Sequence, residues 1–287
     1  MAKVGVAIIN YNRLEMLKRC VQSVLETSGG VVFDLLVFDV GSTDDSSVWL
    51  IHETRHGGLF TDRSRFFVIE EPGPSGVPRT GYAQSVNQAA RKMFEDHPEM
   101  EYFYTLNNDC YVQPGWLSAC VEIFATDSKI GHVGSSVWYG PAFPQMNGKV
   151  QSAGAFFQFG SGQWVTRSAY IGQKTVPTAP FDVDYTGFGM YRRDLFEKFG
   201  GLDEDFPPIY WDDAAWGFTT WENGYRVVCN PMSMIVHDHT PNPYAEAERQ
   251  HHFAAIGPNK EKFMRKWQHL LRPDGTRSPI LPPMVGC

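Results

Sequence analysis

The sequence predicts an α/β fold built on a doubly wound, mostly parallel sheet with helices on both faces. Three observations carry that prediction. Short apolar runs alternate with stretches of helical period through the N-terminal third of the chain. The runs are uninterrupted and rich in β-branched residues, the pattern of parallel strands buried on both faces. Polar residues gather where three of the runs stop, at 10–12, 39–45 and 107–109, which is where such sheets bind ligands.

The elements follow in order. Val4–Ile9 is the first strand, and it stops at Asn10-Tyr11-Asn12. Asn12 is placed to cap a helix, with Glu15 at N3 of a capping-box-like arrangement. Leu14, Leu17, Val21, Val24 and Leu25 recur at helical spacing up to Gly29-Gly30. A second strand, Leu35–Asp39, runs into the polar turn 41–46, and a third spans Phe66–Glu70. A Pro/Gly-rich loop and a helix carrying Val86, Ala89, Ala90, Met93 and Phe94 come next. The fourth strand, Tyr102–Leu106, ends on Asn107-Asn108-Asp109. Beyond residue 110 the pattern loosens, and 138–180 shows no helical period. Order returns with helices near Arg193–Phe199 and Ala214–Asn223, a strand at Arg226–Cys229, and an apolar run, Met234-Ile235-Val236, before His237-Asp238-His239. Phe263, Trp267, Leu270 and Leu271 mark an amphipathic basic helix within 260–277, and Pro279–Cys287 reads as loop. With no repeat and no low-complexity linker, the reading is one unit, 1–240, with an extension, 241–287, packed on it.

Composition narrows the function. At 43 % hydrophobic and 14 % aromatic the chain is too apolar to be disordered. A net charge of −7 argues against a surface that grips nucleic acid as a whole. The charge is polarised: Asp203–Asp213 holds five carboxylates and no basic residue, whereas 260–277 sets six Lys and Arg against Glu261 and Asp274. The basic helix has three readings: packing on its own domain, lying on an anionic membrane through 258–272, or touching a nucleic acid. No apolar run approaches the roughly 20 residues of a membrane span, and the start lacks a signal-peptide core. Five scattered cysteines without a Cys-x-x-Cys pair fit a reducing, cytoplasmic setting better than a disulfide framework.

Four places bear chemistry. Asp109, after a buried strand, can hold a divalent metal, or it is simply part of a turn. Asp212 and Asp213 sit beside Trp211 before a helix, where desolvation suits a general base and where capping is the structural alternative. His237 ends an apolar run, as a metal-ligating or a structural imidazole. Asp39 ends the second strand, able to accept from a base or ribose or to close an Asx turn. A Gly-x-Gly-x-x-Gly fingerprint, a Walker A loop and a Gly-x-Ser-x-Gly elbow are all absent from the sequence.

The order of these motifs resembles the family 2 glycosyltransferases of GT-A fold, particularly rhamnosyltransferase-like members. The resemblance rests on Ile8-Ile9-Asn10-Tyr11-Asn12, Asp39-Val40-Gly41-Ser42-Thr43-Asp44, Gly81-Tyr82-Ala83 through Asn87, and Leu106-Asn107-Asn108-Asp109. Gln151-Ser152-Ala153-Gly154, Gly200-Gly201-Leu202-Asp203, the pair 212–213 and the run from Gly224 to His237 complete it. It implies a Rossmann-like GT-A domain over 1–240, with a nucleotide-binding half at 1–110 and an acceptor and catalytic half at 111–240. It implies nucleotide contacts from Asn10, Tyr11, Asn12, Asp39, Ser42, Gly81, Asn87, Asn107 and Asn108. It further implies a divalent metal, Mn²⁺ or Mg²⁺, on Asp109 and His237, and a base at Asp213 with Asp212 preceding it. The donor would be a nucleotide-diphosphate sugar and the acceptor a glycan or glycoconjugate hydroxyl, in a single inverting displacement. Two positions depart from the family pattern: Asn107 leaves one carboxylate in the metal motif, and Ala215 stands where a further Asp is usual. The alternatives are a non-catalytic nucleotide-sugar-binding protein of this fold, a transferase acting on a nucleic-acid acceptor, and a metal-dependent phosphohydrolase.

Overall fold

The computed structural model describes residues 3–53, 58–60, 65–71, 80–238 and 245–286. Most of the Pro/Gly-rich loop (72–79) and His239 lie outside the described residues.

The first strand, β1 (Val4–Asn10), is buried along its whole length. It pairs in parallel with β2 (Phe33–Asp39), Asn10 opposite Asp39, and with β4 (Tyr102–Asn107), Ile9 opposite Asn107. β3 (Arg65–Ile69) adds in parallel to β2. The register therefore brings the polar ends of three strands side by side.

α1 (Leu14–Thr27) follows β1 and ends before Gly29 and Gly30, both left-handed at φ 71° and 81°. Its cap differs from the sequence expectation. Asn12 and Arg13 are themselves left-handed (φ 56° and 64°), which turns the Asn12 amide away from its own helix. The Asn12 Oδ1 instead accepts from the backbone N–H groups of Thr43 (2.7 Å) and Asp44 (3.2 Å). Asp44 supplies the cap from the neighbouring loop, accepting the Leu14 N–H at 3.1 Å. α2 (Ser46–His52) begins where the polar turn 41–46 ends, and α3 (Tyr82–Asp96) leads into β4.

The second half holds more order than its sequence shows. It contains β5 (Cys110–Val112), α4 (Trp116–Phe124), β6 (Ile130–Tyr139), β7 (Val150–Ser152), the hairpin β8 (Ala155–Gly160) with β9 (Gln163–Ser168), and β10 (Phe181–Asp182). β11 (Gly189–Arg192), α5 (Arg193–Phe199), α6 (Asp212–Glu222), β12 (Arg226–His237) and α7 (Ala245–Trp267) complete the chain. The main sheet runs β10-β12-β6-β11-β4-β1-β2-β3, with β5 on β12 and β7 on β6. It is mixed: β11 lies antiparallel between β4 and β6, and so joins the two halves. The two apolar runs expected at 226–229 and 234–236 are one strand, with a register shift between Asn230 and Met234 around Pro231.

Alternation along β1 sorts the core into two faces. Val4, Val6 and Ile8 pack with α1, α4 and β6, whereas Ala7 and Ile9 pack with α3, Phe196 of α5 and Trp216 of α6. A third cluster joins Phe157, Phe206, Ala214 and Phe218 to Phe263, Trp267, Leu270, Leu271 and Leu281. The amphipathic segment is thus a helix only to Trp267; Leu270 follows in a turn and Leu271 in a bridge to Arg277. Its apolar face lies inside the protein, with Phe263 and Trp267 buried. The apolar side chains of 258–272 are taken up by the protein's own core. No helix among the described residues is long and apolar enough to cross a membrane.

Candidate active site

The ends of β1, β2 and β4 meet in one buried hydrogen-bond network. The Asn10 Nδ2 donates to Asp39 Oδ2 at 2.5 Å and to Ser42 Oγ at 3.1 Å. Asp39 also accepts from the Ser42 N–H (2.8 Å) and hydroxyl (2.6 Å). Ser42 Oγ in turn accepts the Asn12 N–H at 2.7 Å. Asn108 closes the network, donating to Asn10 Oδ1 (2.6 Å) and the Asn12 carbonyl (2.7 Å). Asp39 is fully buried, and desolvation raises its pKa against the hydrogen bonds that lower it. Its oxygens hold the 10–12 and 42–44 loops together; Tyr11, half-buried, lies on the first of them.

One strand further on, Asp109 and His237 face each other. Antiparallel pairing of β5 with β12 sets Cys110 opposite His237, and the Asp238 N–H donates to the Asp109 carbonyl at 2.9 Å. Asp109 Oδ1 lies 3.1 Å from His237 Nε2. The other imidazole nitrogen, Nδ1, is 3.2 Å from Gln151 Oε1, and the ring meets Phe188 edge-on. One donor atom each from Asp109, Cys110 and His237 lies within 4.8 Å of the others, and all three residues are buried. Carboxylate oxygen and imidazole nitrogen suit a divalent ion such as Mn²⁺, and the sulfur adds a softer donor. The Asn107 Oδ1 is buried with no hydrogen-bond partner among the described residues. The donor set therefore fits a divalent cation.

The site also holds a cation that no sequence motif signals. Arg13 donates to Asp109 Oδ2 at 2.8 Å, so the left-handed turn at 12–13 also delivers a guanidinium to this carboxylate. Cys110 and Gln151 went unassigned as well. Adjacency to Asp109 was the signal for Cys110; for Arg13, partnered 96 positions away, the sequence carries none.

Asp212 and Asp213 form the first turn of α6. Neither caps it in the expected way: Trp211 is the N-cap residue, at φ 79°. Asp212 is buried at 4 % exposure, whereas Asp213 is half-buried. Burial pushes both carboxyls above the usual range, and the charge of Asp213 adds to the shift at Asp212. Asp213 accepts the Ala214 N–H at 2.8 Å. Its Oδ2 would stand 3.3 Å from a Cβ at the exposed Gly187, so a side chain there would crowd the carboxylate. Of the pair, Asp213 is the one a solute can reach.

Gly81 and Asn87 are placed elsewhere than beside Asp39. The Asn87 amide is engaged at both ends, donating to the Leu202 carbonyl (2.8 Å) and Glu204 Oε1 (2.9 Å) and accepting the Leu202 N–H (2.8 Å). A Cβ on Gly201, at φ 84°, would lie 2.3 Å from Asn87 Oδ1, which requires glycine there. Gly81 lies against Pro208.

An open α/β sheet with a polar network at its strand ends and an acid–imidazole pair beside it defines a GT-A-like protein. Two solved structures share the fold. GalNAc-T7 with UDP, GalNAc and Mn²⁺ matches at a TM-score of 0.63 and 14 % identity, over 98 % of this chain and 52 % of its own. The mannosyltransferase PcManGT from Pyrobaculum calidifontis, in complex with GDP-Man and Mn²⁺, matches at 0.58 and 17 %, over 96 % and 66 %. The chain thus spans about half the length of the first and two thirds of the second. The glycosyl transferase family 2 model matches residues 5–200, and the chain belongs to that family. No curated protein matches it in sequence.

Proposed function

We propose that the chain transfers a sugar of hexosyl or rhamnosyl type from a nucleotide-diphosphate donor to a hydroxyl of a glycan or glycoconjugate, with inversion. The observation that carries the reading is the pairing of two acidic sites with different surroundings. Asp109 is buried against His237 and Arg13, and Asp213 is half-exposed with a raised pKa.

In this reading the network of Asn10, Asn12, Asp39, Ser42 and Asn108 shapes the nucleotide side, with Tyr11 and Asn107 at its edge. Asp39 acts mainly by fixing that loop, and Asn87 by fixing 202–204. Asp109 and His237 would hold the divalent ion, Mn²⁺ or Mg²⁺; the Gln151 oxygen at Nδ1 favours the tautomer that leaves Nε2 free to ligate. When bound, the ion supplies Lewis-acid stabilisation to the departing diphosphate. Arg13 adds fixed positive charge where that group would sit. Asp213 accepts the proton of the acceptor hydroxyl as its oxygen attacks the anomeric carbon from the opposite face. The bond to the diphosphate breaks as the new glycosidic bond forms. Burial is what raises the Asp213 carboxyl, and Asp212, more deeply buried, is raised by burial and by the charge of Asp213. The solved relatives' own ligands, UDP or GDP-Man with Mn²⁺, support the donor class.

The test is hydrolysis of a UDP-, GDP- and dTDP-sugar panel with Mn²⁺, followed by the accepted donor with purified variants. Asp213→Asn should lower turnover by roughly 10²–10⁴-fold, with donor affinity within about threefold of wild type. Asp109→Ala should remove the Mn²⁺-dependent gain in donor affinity measured by calorimetry. The base works ionised and burial raises its pKa, so turnover should fall with acid at a pH above the ordinary carboxylate range of about 4. Near-normal turnover in Asp213→Asn would overturn the assignment of the base.

A further inference from the structure

The backbone that leads into Asp213 is held in an unusual shape. Tyr210 and Trp211 are consecutive left-handed residues, at φ 74° and 79°, and neither is glycine. Such conformations persist only where the surroundings over-determine them. Two helices supply the hydrogen bonds to the carbonyls of 207–210. From α3, the Tyr82 N–H donates to the Pro208 carbonyl at 2.7 Å, and Asn87 grips 202–204. Trp211 also meets Phe157 of β8, with ring centroids 6.0 Å apart, and further contacts come from α7, outside the part of the chain that carries the family motifs.

Asn259, 2 % exposed, directs its Nδ2 at the carbonyls of Pro207 (3.1 Å), Ile209 (3.2 Å) and Tyr210 (3.4 Å). One turn further along, the Phe263 ring packs on Trp211 with centroids 5.3 Å apart. On the outer side, Lys262 donates to the Asp205 carbonyl at 2.7 Å and Lys266 pairs with Asp203. The Trp211 carbonyl accepts the Ala215 N–H at 2.8 Å, so the direction of α6 at Asp213 is inherited from 210–211. Packing alone would account for Phe263, but not for a buried amide directed at three carbonyls of this loop.

We propose that Asn259 is a positioning residue for the proposed transfer: through 207–211 it sets the orientation of the Asp213 carboxylate, and α7 belongs to the catalytic unit. The inference rests on reading Asp213 as the base.

Asn259→Asp keeps the shape but, when ionised, offers carboxylate oxygens to carbonyls. With the donor accepted in the hydrolysis panel and the full-length chain, kcat should fall by about 10–100-fold, since small misplacements of a reacting group cost this much. The KM for the donor should stay within about threefold. Amide exchange of peptide 205–213, followed by mass spectrometry, should accelerate at least tenfold relative to wild type, a readout independent of turnover. A helix anchor with no positioning role would lower Tm and leave kcat per folded molecule unchanged. Should Asn259→Asp fail to fold, the surface double variant Lys262→Ala with Lys266→Ala decides, with faster exchange of the same peptide and a smaller fall in kcat expected. Wild-type exchange of 205–213 in the folded variant overturns the proposal, as does wild-type kcat. Wild-type turnover in Asp213→Asn is a different result: it removes the base, and the exchange data still report whether Asn259 holds the loop.

Discussion

His132 is the polar side chain least accommodated by the core. It is fully buried, stacked on Tyr191 at 4.3 Å and edge-on to Trp216, and neither ring nitrogen has a hydrogen-bond partner among the described residues. Burial holds its pKa down at about 3. The folded state therefore binds fewer protons than the unfolded chain between pH 6.5 and about 3. The stability this gives is present above pH 6.5 and is lost as pH falls through that window. His132→Phe keeps the stacking and removes the titration. Relative to wild type it should gain about 2 kcal/mol at pH 5 compared with pH 8, measured by urea unfolding at both pH values. An unchanged difference would show that the ring is not the titrating group. At this scale the sequence was legible where chemistry sits at strand ends: parallel pairing aligns the ends of β1, β2 and β4, and the antiparallel pair β5–β12 brings His237 to Asp109. Asn12, Arg13 and Asn87 were not legible. Their partners lie 31, 96 and 115 residues away, and Asn in particular reads as a local cap or turn residue whatever it touches.

The helices and strands divide along the same line. The N-terminal alternation was readable because β1, β2 and β4 are mostly apolar up to their polar ends and α1 and α3 are long enough to show their period. α2, at seven residues, is not. α4 buries Trp116, Leu117, Cys120 and Phe124 and is apolar on most sides, which blurs its period. β6 reads as loop because Gly131, Gly134, Ser135 and Ser136 interrupt it. In the fold those hydroxyls are satisfied in the core: Ser135 bonds to Tyr104 and Ser233, both at 2.6 Å, and Ser136 donates to the Pro231 carbonyl at 2.8 Å. Close β6–β12 packing with internal polar pairs is a tertiary fact that no period encodes. The borrowed cap on α1 yields a prediction at this scale. Asp44 accepts from Leu14 of α1 and from Ser46 of α2, so Asp44→Ala should cost about 1–2 kcal/mol. Asn12→Ala should cost through the 43–44 loop instead, with helix α1 capped as before. Equal urea midpoints for Asp44→Ala and wild type would refute the cap.

Across the whole molecule, the charge segregation seen in the sequence is resolved by contact, since Lys262 and Lys266 of the basic segment reach Asp205 and Asp203 of the acidic one. Arg277 pairs with the fully buried Asp184 and donates to the Phe157 carbonyl at 3.0 Å, so the extension is tied to the hairpin too. Phe263, Trp267, Leu270, Leu271 and Leu281 are buried there. At about 1.5–3 kcal/mol each, their combined loss is comparable with the roughly 5–15 kcal/mol that holds a domain together. A chain ending at Asp238 should therefore bind a hydrophobic dye and lose its cooperative thermal transition; retention of a sharp transition would show that the extension is dispensable. The antiparallel strand β11 has a mechanical consequence. Because it is hydrogen-bonded to β4 on one side and β6 on the other, the sheet is a single plate with no hinge line between its halves. In the function proposed above, the plate would fix the strand ends that hold Asp109 and Asp39 relative to one another, like the jaws of a fixed gauge. Adjustment would be left to the 207–211 segment that orients Asp213.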